Sequence, residues 1–189
     1  MENNIPAIYN DCDRILVSEQ EIAAICDRLA AEILDTYKDS NRRLVMVVIL
    51  KGSMPFAAEL MKRLPLPLEL EFMKVSSYGK GTVSGGRINI LLDLHRSDLS
   101  EKDILIVEDI IDSGRTLSYL VEYLTLNGAR SVKTVSLLDK PSRREVEYTP
   151  DYRGMEIPDE FVVGYGLDYA EGYRTLPYVG VLKPEVYTK

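Results

Sequence analysis

Histidine occurs once and cysteine twice in the 189 residues. His95 alone cannot build a histidine-based metal centre, and a surface position is expected for it. Cys12 and Cys26 offer neither a disulfide framework nor metal-ligand spacing. Cys26 falls on the apolar face of an expected helix, where a thiol acts as a small buried hydrophobe. Basic charge is also in short supply: 23 Lys+Arg face 30 Asp+Glu, giving net charge −7 and a pI near 4.9. That balance leaves no electrostatic footprint for nucleic acid. No apolar run approaches the roughly 20 residues of a membrane span, so no membrane partner is expected. Residues 1–10 lack a basic segment followed by an apolar core, so no signal peptide is read there and a cytoplasmic location is expected. A GxxxxGK[ST] loop is missing, which argues against a Walker-type NTPase. The glycines at 79, 81, 85 and 86 do not form GxGxxG, because position 84 is serine. Neither an internal repeat nor a linker is visible. What remains is a chain with 46% hydrophobic residues, enough for one real core, read as a single domain over 1–189.

The most informative stretch is Asp103-Ile104-Leu105-Ile106-Val107-Glu108-Asp109-Ile110-Ile111-Asp112-Ser113-Gly114-Arg115-Thr116-Leu117. The run 104–107 has the β-branched, continuously apolar character of a strand buried on both faces. Glu108 and Asp109 sit where that strand is expected to end, and Asp112 adds a third carboxylate. Ser113-Gly114-Arg115-Thr116 then leads into helical spacing at Leu117, Leu120, Val121 and Leu124. A strand, a tight polar turn and a helix N-terminus cradle a phosphate: free N–H groups and the positive helix end face the anion. Ser113 and Thr116 add hydroxyl donors, and Gly114 lets the backbone come close. Neighbouring carboxylates accept from a sugar diol or hold Mg²⁺ through water. The pattern suits a ligand with a phosphate, a diol and a metal-bound pyrophosphate.

The rest of the chain alternates strands and helices. Ile15 and Val17 mark a short first strand. Ser18 and Glu21 form a capping box before apolar positions at Ile22, Ile25, Leu29, Ile33 and Tyr37. Residues 44–50 read as a second fully buried strand, running through Lys51-Gly52-Ser53 into a helix from Pro55 to Met61, with Ser53 as N-cap. Residues 68–75 alternate in part, as in a less buried strand. Residues 76–87 are polar, glycine-rich and too long for a hairpin turn, so a mobile lid is expected. A return strand follows at 88–92. The helix after the acidic turn is expected to end at Asn127-Gly128. Residues 132–138 form the next strand and deliver Asp139-Lys140 at its tip. Residues 141–158 read as polar and irregular, and 178–182 as a last strand. This order implies an α/β fold with a mostly parallel sheet. Strand tips bearing Lys51, Glu108, Asp112 and Lys140 should converge where open α/β sheets bind ligands.

Val107-Glu108-Asp109-Ile110-Ile111-Asp112-Ser113-Gly114 resembles the phosphoribosyl-pyrophosphate (PRPP) signature of the purine/pyrimidine phosphoribosyltransferase family, and Asp112 matches its 6-oxopurine branch. Phe161-Val162-Val163-Gly164-Tyr165-Gly166-Leu167-Asp168-Tyr169 is a second match, and Leu50-Lys51-Gly52 a third. The resemblance implies a type I phosphoribosyltransferase fold: a five-stranded parallel sheet flanked by helices, under a hood built from both chain ends. It also implies transfer of the 5-phosphoribosyl group from PRPP to hypoxanthine or guanine, giving IMP or GMP and pyrophosphate, with Mg²⁺ as cofactor. On this reading Asp112 is the general base, and Glu108, Asp109, Asp112, Ser113, Gly114, Arg115 and Thr116 bind the ribose phosphate. Lys51, Gly52 and Arg174 take pyrophosphate. Lys140, Phe161, Val162 and Asp168 take the purine, Ser77 and Tyr78 belong to the lid, and Glu108, Asp109 and Asp168 attend the metal. The family's Leu50-Lys51 turn often carries a cis peptide. A homodimer or homotetramer is the expected assembly. A PRPP-sensing regulator without catalysis is a reading of another class, disfavoured by the absence of a basic face. Versions for pyrimidines or adenine are disfavoured by Asp112 together with Lys140.

Overall fold

The computed structural model describes residues 10–40, 43–78, 87–95 and 98–188. Its central sheet contains β2 (Leu44–Ile49), β3 (Leu68–Tyr78), β4 (Arg87–Leu92), β5 (Asp103–Ile111), β6 (Ser131–Asp139) and β7 (Tyr152–Glu156), in the order β4-β3-β2-β5-β6-β7. Five strands are parallel, and β4 pairs antiparallel with β3 at one edge. Every residue of β2 is buried. Its alternate residues serve different cores: Leu44, Met46 and Val48 face one, Val45, Val47 and Ile49 the other. β5 repeats this, with Leu105 and Val107 on the first side and Ile104 and Ile106 on the second. That two-sided burial is why both strands read as unbroken apolar runs.

Helices α1 (Glu19–Tyr37) and α2 (Met54–Lys62) cover the first face, and α3 (Arg115–Leu126) covers the second. α1 begins in the expected capping box, with Ser18 and Glu21 bonded reciprocally. Ser53 stands at the N-cap of α2 but makes no capping bond; its hydroxyl donates instead to the carbonyl of Ile49. β2 leads through α2 to β3 on one side, and β5 leads through α3 to β6 on the other. The chain therefore diverges between β2 and β5, and their carboxyl ends open the crevice expected at such a switch point.

A second sheet stands over that end. It has the order β1 (Cys12–Val17), β9 (Val179–Leu182), β8 (Val162–Val163), all antiparallel. It joins the two chain ends as expected of a hood. Helix α4 (Pro184–Tyr187) follows.

Three expectations shift. β5 does not stop at Val107 but continues to Ile111, so Glu108 and Asp109 lie within the strand. β3 runs on to Tyr78. Residues 141–158 are not wholly irregular: they contain a 3-10 turn, Pro141–Arg143, and the edge strand β7. β7 was hidden because only Tyr152 of its five residues is buried, so no apolar alternation marks it. His95 is exposed and Cys26 buried, as expected. No helix among the described residues is long and apolar enough to cross a membrane. Ile106 is fully buried at the centre of the second core. Ile106→Ala should cost about 2–5 kcal/mol, measured by urea unfolding, while leaving the first face intact.

Candidate active site

The polar residues singled out in the sequence gather at the carboxyl ends of β2, β5 and β6. Gly114 adopts φ 80° at the N-cap of α3, a left-handed turn that glycine takes without penalty. Residues 112–117 then wrap a cavity of about 320 Å³ that Glu108, Ile110 and Arg143 also line. Ile88 of β4 closes one side of it. The N-terminal end of α3 borders this cavity, and a helix N-terminus favours an anion. The Ser113 hydroxyl accepts from the Arg115 N–H (3.3 Å). The Arg115 guanidinium pairs with Glu145 (2.5 Å), so Arg115 offers the cavity its backbone rather than a free cation.

A second cavity, about 500 Å³, lies against the first. Lys140, Phe161, Val162 and Asp168 all line it, so the four residues assigned to one base meet in one place. Lys140 is buried, with its ammonium 3.5 Å from Asp112 Oδ1. Phe161 stacks on Tyr187 of α4, ring centroids 4.7 Å apart, and meets Tyr169 edge-on. Ile110, Asp112 and Arg143 line both cavities. Asp112 is half-exposed at their common wall, between the helix N-terminus and the lysine.

Glu108 and Asp109 are partly buried neighbours on β5. Burial raises both carboxyls, Glu108 well above the carboxylate range and Asp109 to about 6, and the charge of Asp109 raises Glu108 further. Glu108 Oε2 is buried without a hydrogen-bond partner among the described residues. Asp109 Oδ1 accepts from the Ile110 N–H (2.8 Å). Two adjoining carboxylates with unfilled acceptor capacity fit a cation or a diol. Among the described residues no group of three His, Cys, Asp or Glu side chains is arranged to hold a metal alone. A cation here would take its remaining ligands from substrate and water.

Lys51, Gly52 and Arg174 line neither cavity but cluster beside Asp109. The Leu50-Lys51 peptide is cis, as the resemblance implied. A Cβ on Gly52 would lie 1.6 Å from Asp109 Oδ2. A Cβ on Gly166, which has φ 99°, would lie 2.0 Å from the Gly52 carbonyl. Turn, acidic strand and hood thus touch through two glycines. Arg174 donates to the Gly166 carbonyl (2.7 Å) and pairs with Asp168 (2.8 Å). Asp168 also accepts from the Glu171 N–H (2.9 Å). Ser77 and Tyr78 lie at the end of β3, paired with Ile88 and Arg87 in register. Most of the expected lid, residues 79–86, lies outside the described residues.

Arg144 is a supporting residue that the sequence did not mark. Its guanidinium donates to the carbonyls of Ile111 (3.1 Å), Asp112 (2.6 Å) and Tyr148 (3.1 Å), and pairs with the buried Asp139. It ties the end of β5 to the end of β6. The backbone N–H groups of Glu145 and Val146 both donate to the Ser113 carbonyl (3.0 and 3.3 Å), bracing the same turn from behind. One more arginine in an apparently irregular segment carries no periodic signal. Arg143 and Tyr187 were missed for the same reason.

The phosphoribosyl transferase domain model matches residues 14–170. A hypoxanthine-guanine phosphoribosyltransferase of Bacillus subtilis (strain 168) is 52% identical over 94% of this chain and 97% of its own. A crystal structure of a Staphylococcus aureus hypoxanthine phosphoribosyltransferase superposes with TM-score 0.91 at 46% identity, covering 100% of both chains. The bifunctional protein TilS/HprT of Listeria monocytogenes (serotype 4b, strain F2365) is 51% identical over 97% of this chain, which spans only 28% of that longer protein.

The close approach of Gly166 can be tested against a glycine of similar φ that touches nothing. Gly128 also has positive φ (92°), but nothing lies within 4 Å of its added Cβ. Gly128→Ala should therefore cost only the left-handed conformation, about 1–3 kcal/mol. Gly166→Ala adds the clash with the Gly52 carbonyl and should be clearly the more destabilising in thermal unfolding. Equal losses would mean that hood and turn do not depend on this contact.

Proposed function

The chain belongs to the phosphoribosyl transferase family, and we propose that it salvages purines by transferring the 5-phosphoribosyl group from PRPP to hypoxanthine and guanine. The observation that supports this best is the position of Asp112 on the shared wall of two cavities. One cavity has the N–H groups and hydroxyls that suit a 5′-phosphate. The other has a buried lysine and an aromatic ring that suit a 6-oxopurine. A group at the junction reaches both halves of a transfer reaction. Relatives named hypoxanthine-guanine phosphoribosyltransferase, 52% and 54% identical to this chain, support the same reading.

In this account Ser113, Gly114, Arg115 and Thr116 hold the 5′-phosphate through backbone N–H groups and hydroxyls. Glu108 and Asp109 accept from the ribose diol or hold Mg²⁺, with Asp168 nearby but engaged by Arg174. When bound, Mg²⁺ neutralises charge on the leaving pyrophosphate. Lys51, Gly52 and Arg174 receive that pyrophosphate beside Asp109. Lys140 donates to the purine 6-oxygen, Phe161 stacks on the ring, and Val162 closes the pocket wall. Asp112 takes the proton from the five-membered-ring nitrogen as the bond to ribose forms. Residues 76–87, including Ser77 and Tyr78, act as a lid that excludes water from an oxocarbenium-like transition state. We assign residues 1–189 to one such domain, in the cytoplasm, acting as a homodimer or homotetramer.

Asp112→Asn keeps size and hydrogen bonding but removes the proton acceptor. It should lower kcat by roughly 10²–10⁴, with a smaller change in PRPP affinity because Glu108 and Asp109 remain. Lys140→Ala should abolish 6-oxopurine turnover while PRPP binding, followed by calorimetry, persists. A near-normal rate in the first variant removes Asp112 from the mechanism. Normal hypoxanthine turnover in the second removes Lys140 from base recognition.

A further inference from the structure

Lys51 and Arg174, the two cations proposed for pyrophosphate, converge on one carboxylate of the chain itself. Glu171 Oε2 accepts from Lys51 Nζ at 2.9 Å and from an Arg174 guanidinium nitrogen at 3.2 Å. A single oxygen bridging two cations is what an oxygen of pyrophosphate would do in the same place. We infer that Glu171 is an internal competitor for the pyrophosphate subsite, one that substrate must displace and that returns to help expel the product. The inference rests on the pyrophosphate assignment of Lys51 and Arg174 made above.

Three features support competition over mere bracing. First, the contacts are exposed: the side chains of Glu171 and Lys51 are 67% and 51% accessible. Ion pairs in water are weak and exchange readily, so a dianionic or trianionic ligand outcompetes them. Second, Arg174 does not need Glu171 for its orientation. Asp168 and the Gly166 carbonyl already hold the guanidinium at 2.8 and 2.7 Å. Third, the backbone delivers the carboxylate. Ala170, Glu171 and Tyr173 all have positive φ (50°, 66° and 70°), and the Glu171 N–H is fixed on Asp168. Non-glycine residues in this region cost energy and cluster where function requires them. A tethered group competes at an effective concentration in the millimolar range or above. The pairing with Lys51 and Arg174 also lowers the Glu171 pKa, which keeps the competitor ionised.

The consequence is kinetic. Two cations and a metal would hold free pyrophosphate tightly, and product release often limits turnover. A carboxylate that refills the subsite weakens product binding without touching the reacting atoms.

The test is calorimetric titration of magnesium pyrophosphate into the full-length wild type, Glu171→Gln and Lys51→Gln. Glu171→Gln should bind pyrophosphate roughly 2–10-fold more tightly than wild type, since two exposed ion pairs no longer compete. The difference should shrink as salt is raised. Lys51→Gln should bind it more weakly. If Lys51→Gln weakens binding but Glu171→Gln binds equally or less well, Glu171 is a brace and the inference fails, while the subsite assignment stands. If Lys51→Gln leaves affinity unchanged, the subsite assignment itself fails and takes the inference with it.

Discussion

The site depends on two close approaches to the Gly52 backbone, by the Asp109 carboxylate on one side and by the Gly166 backbone on the other. Gly52 lies in the turn after the buried strand β2, Asp109 stands on the neighbouring strand, and Gly166 belongs to the hood. No side chain fits between Gly52 and Asp109, or between Gly166 and the Gly52 carbonyl. The hood is therefore seated on the turn by backbone contact, without intervening side chains. Arg174 reinforces the seat by donating to the Gly166 carbonyl. Asp168 follows that contact closely in the chain, while Phe161 and Val162 are held by the pairing of β8 with β9.

The sheet supplies the rest of the geometry. Divergence between β2 and β5 leaves a crevice whose two walls are a cis turn and an acidic strand. β6, next along, brings Lys140 to the same edge, and Arg144 binds the ends of β5 and β6 into one unit. The two cavities then share Ile110, Asp112 and Arg143. The cores on both faces hold this edge rigid: β2 and β5 place alternate residues in each. Strands buried on two sides thus fix the ends from which the turns of the site project.

Much of this was legible in the residue order. β2 and β5 were plain because two-sided burial leaves an uninterrupted apolar run. α1 was plain because Ser18 and Glu21 close a capping box ahead of a regular apolar stripe. The acidic turn was plain because carboxylates, hydroxyls and glycine occur in one ordered string. What escaped was long-range or aperiodic. β7 is an edge strand with one buried residue. Arg144 acts through carbonyls 32 and 33 residues away in sequence. Tyr187 meets Phe161 only because β8 and β9 pair. The Ser53 hydroxyl turns back to Ile49, where sequence favours a helix cap.

On the proposed function, one crevice joins a phosphate cup to a pocket for a 6-oxopurine. Lys140 carries only donors. In the proposed pocket a carbonyl at the purine 6-position would accept from it, whereas the amino group of adenine would face it donor to donor. A site built for one polar pattern rejects its mismatch by roughly 10⁴–10⁵. The direct measurement is nucleotide formation by the wild-type protein supplied with PRPP, Mg²⁺ and hypoxanthine, guanine or adenine in turn. Such a site predicts IMP and GMP with release of pyrophosphate, and essentially no AMP. Turnover of adenine at a rate comparable to hypoxanthine, or no turnover of any base, would contradict it.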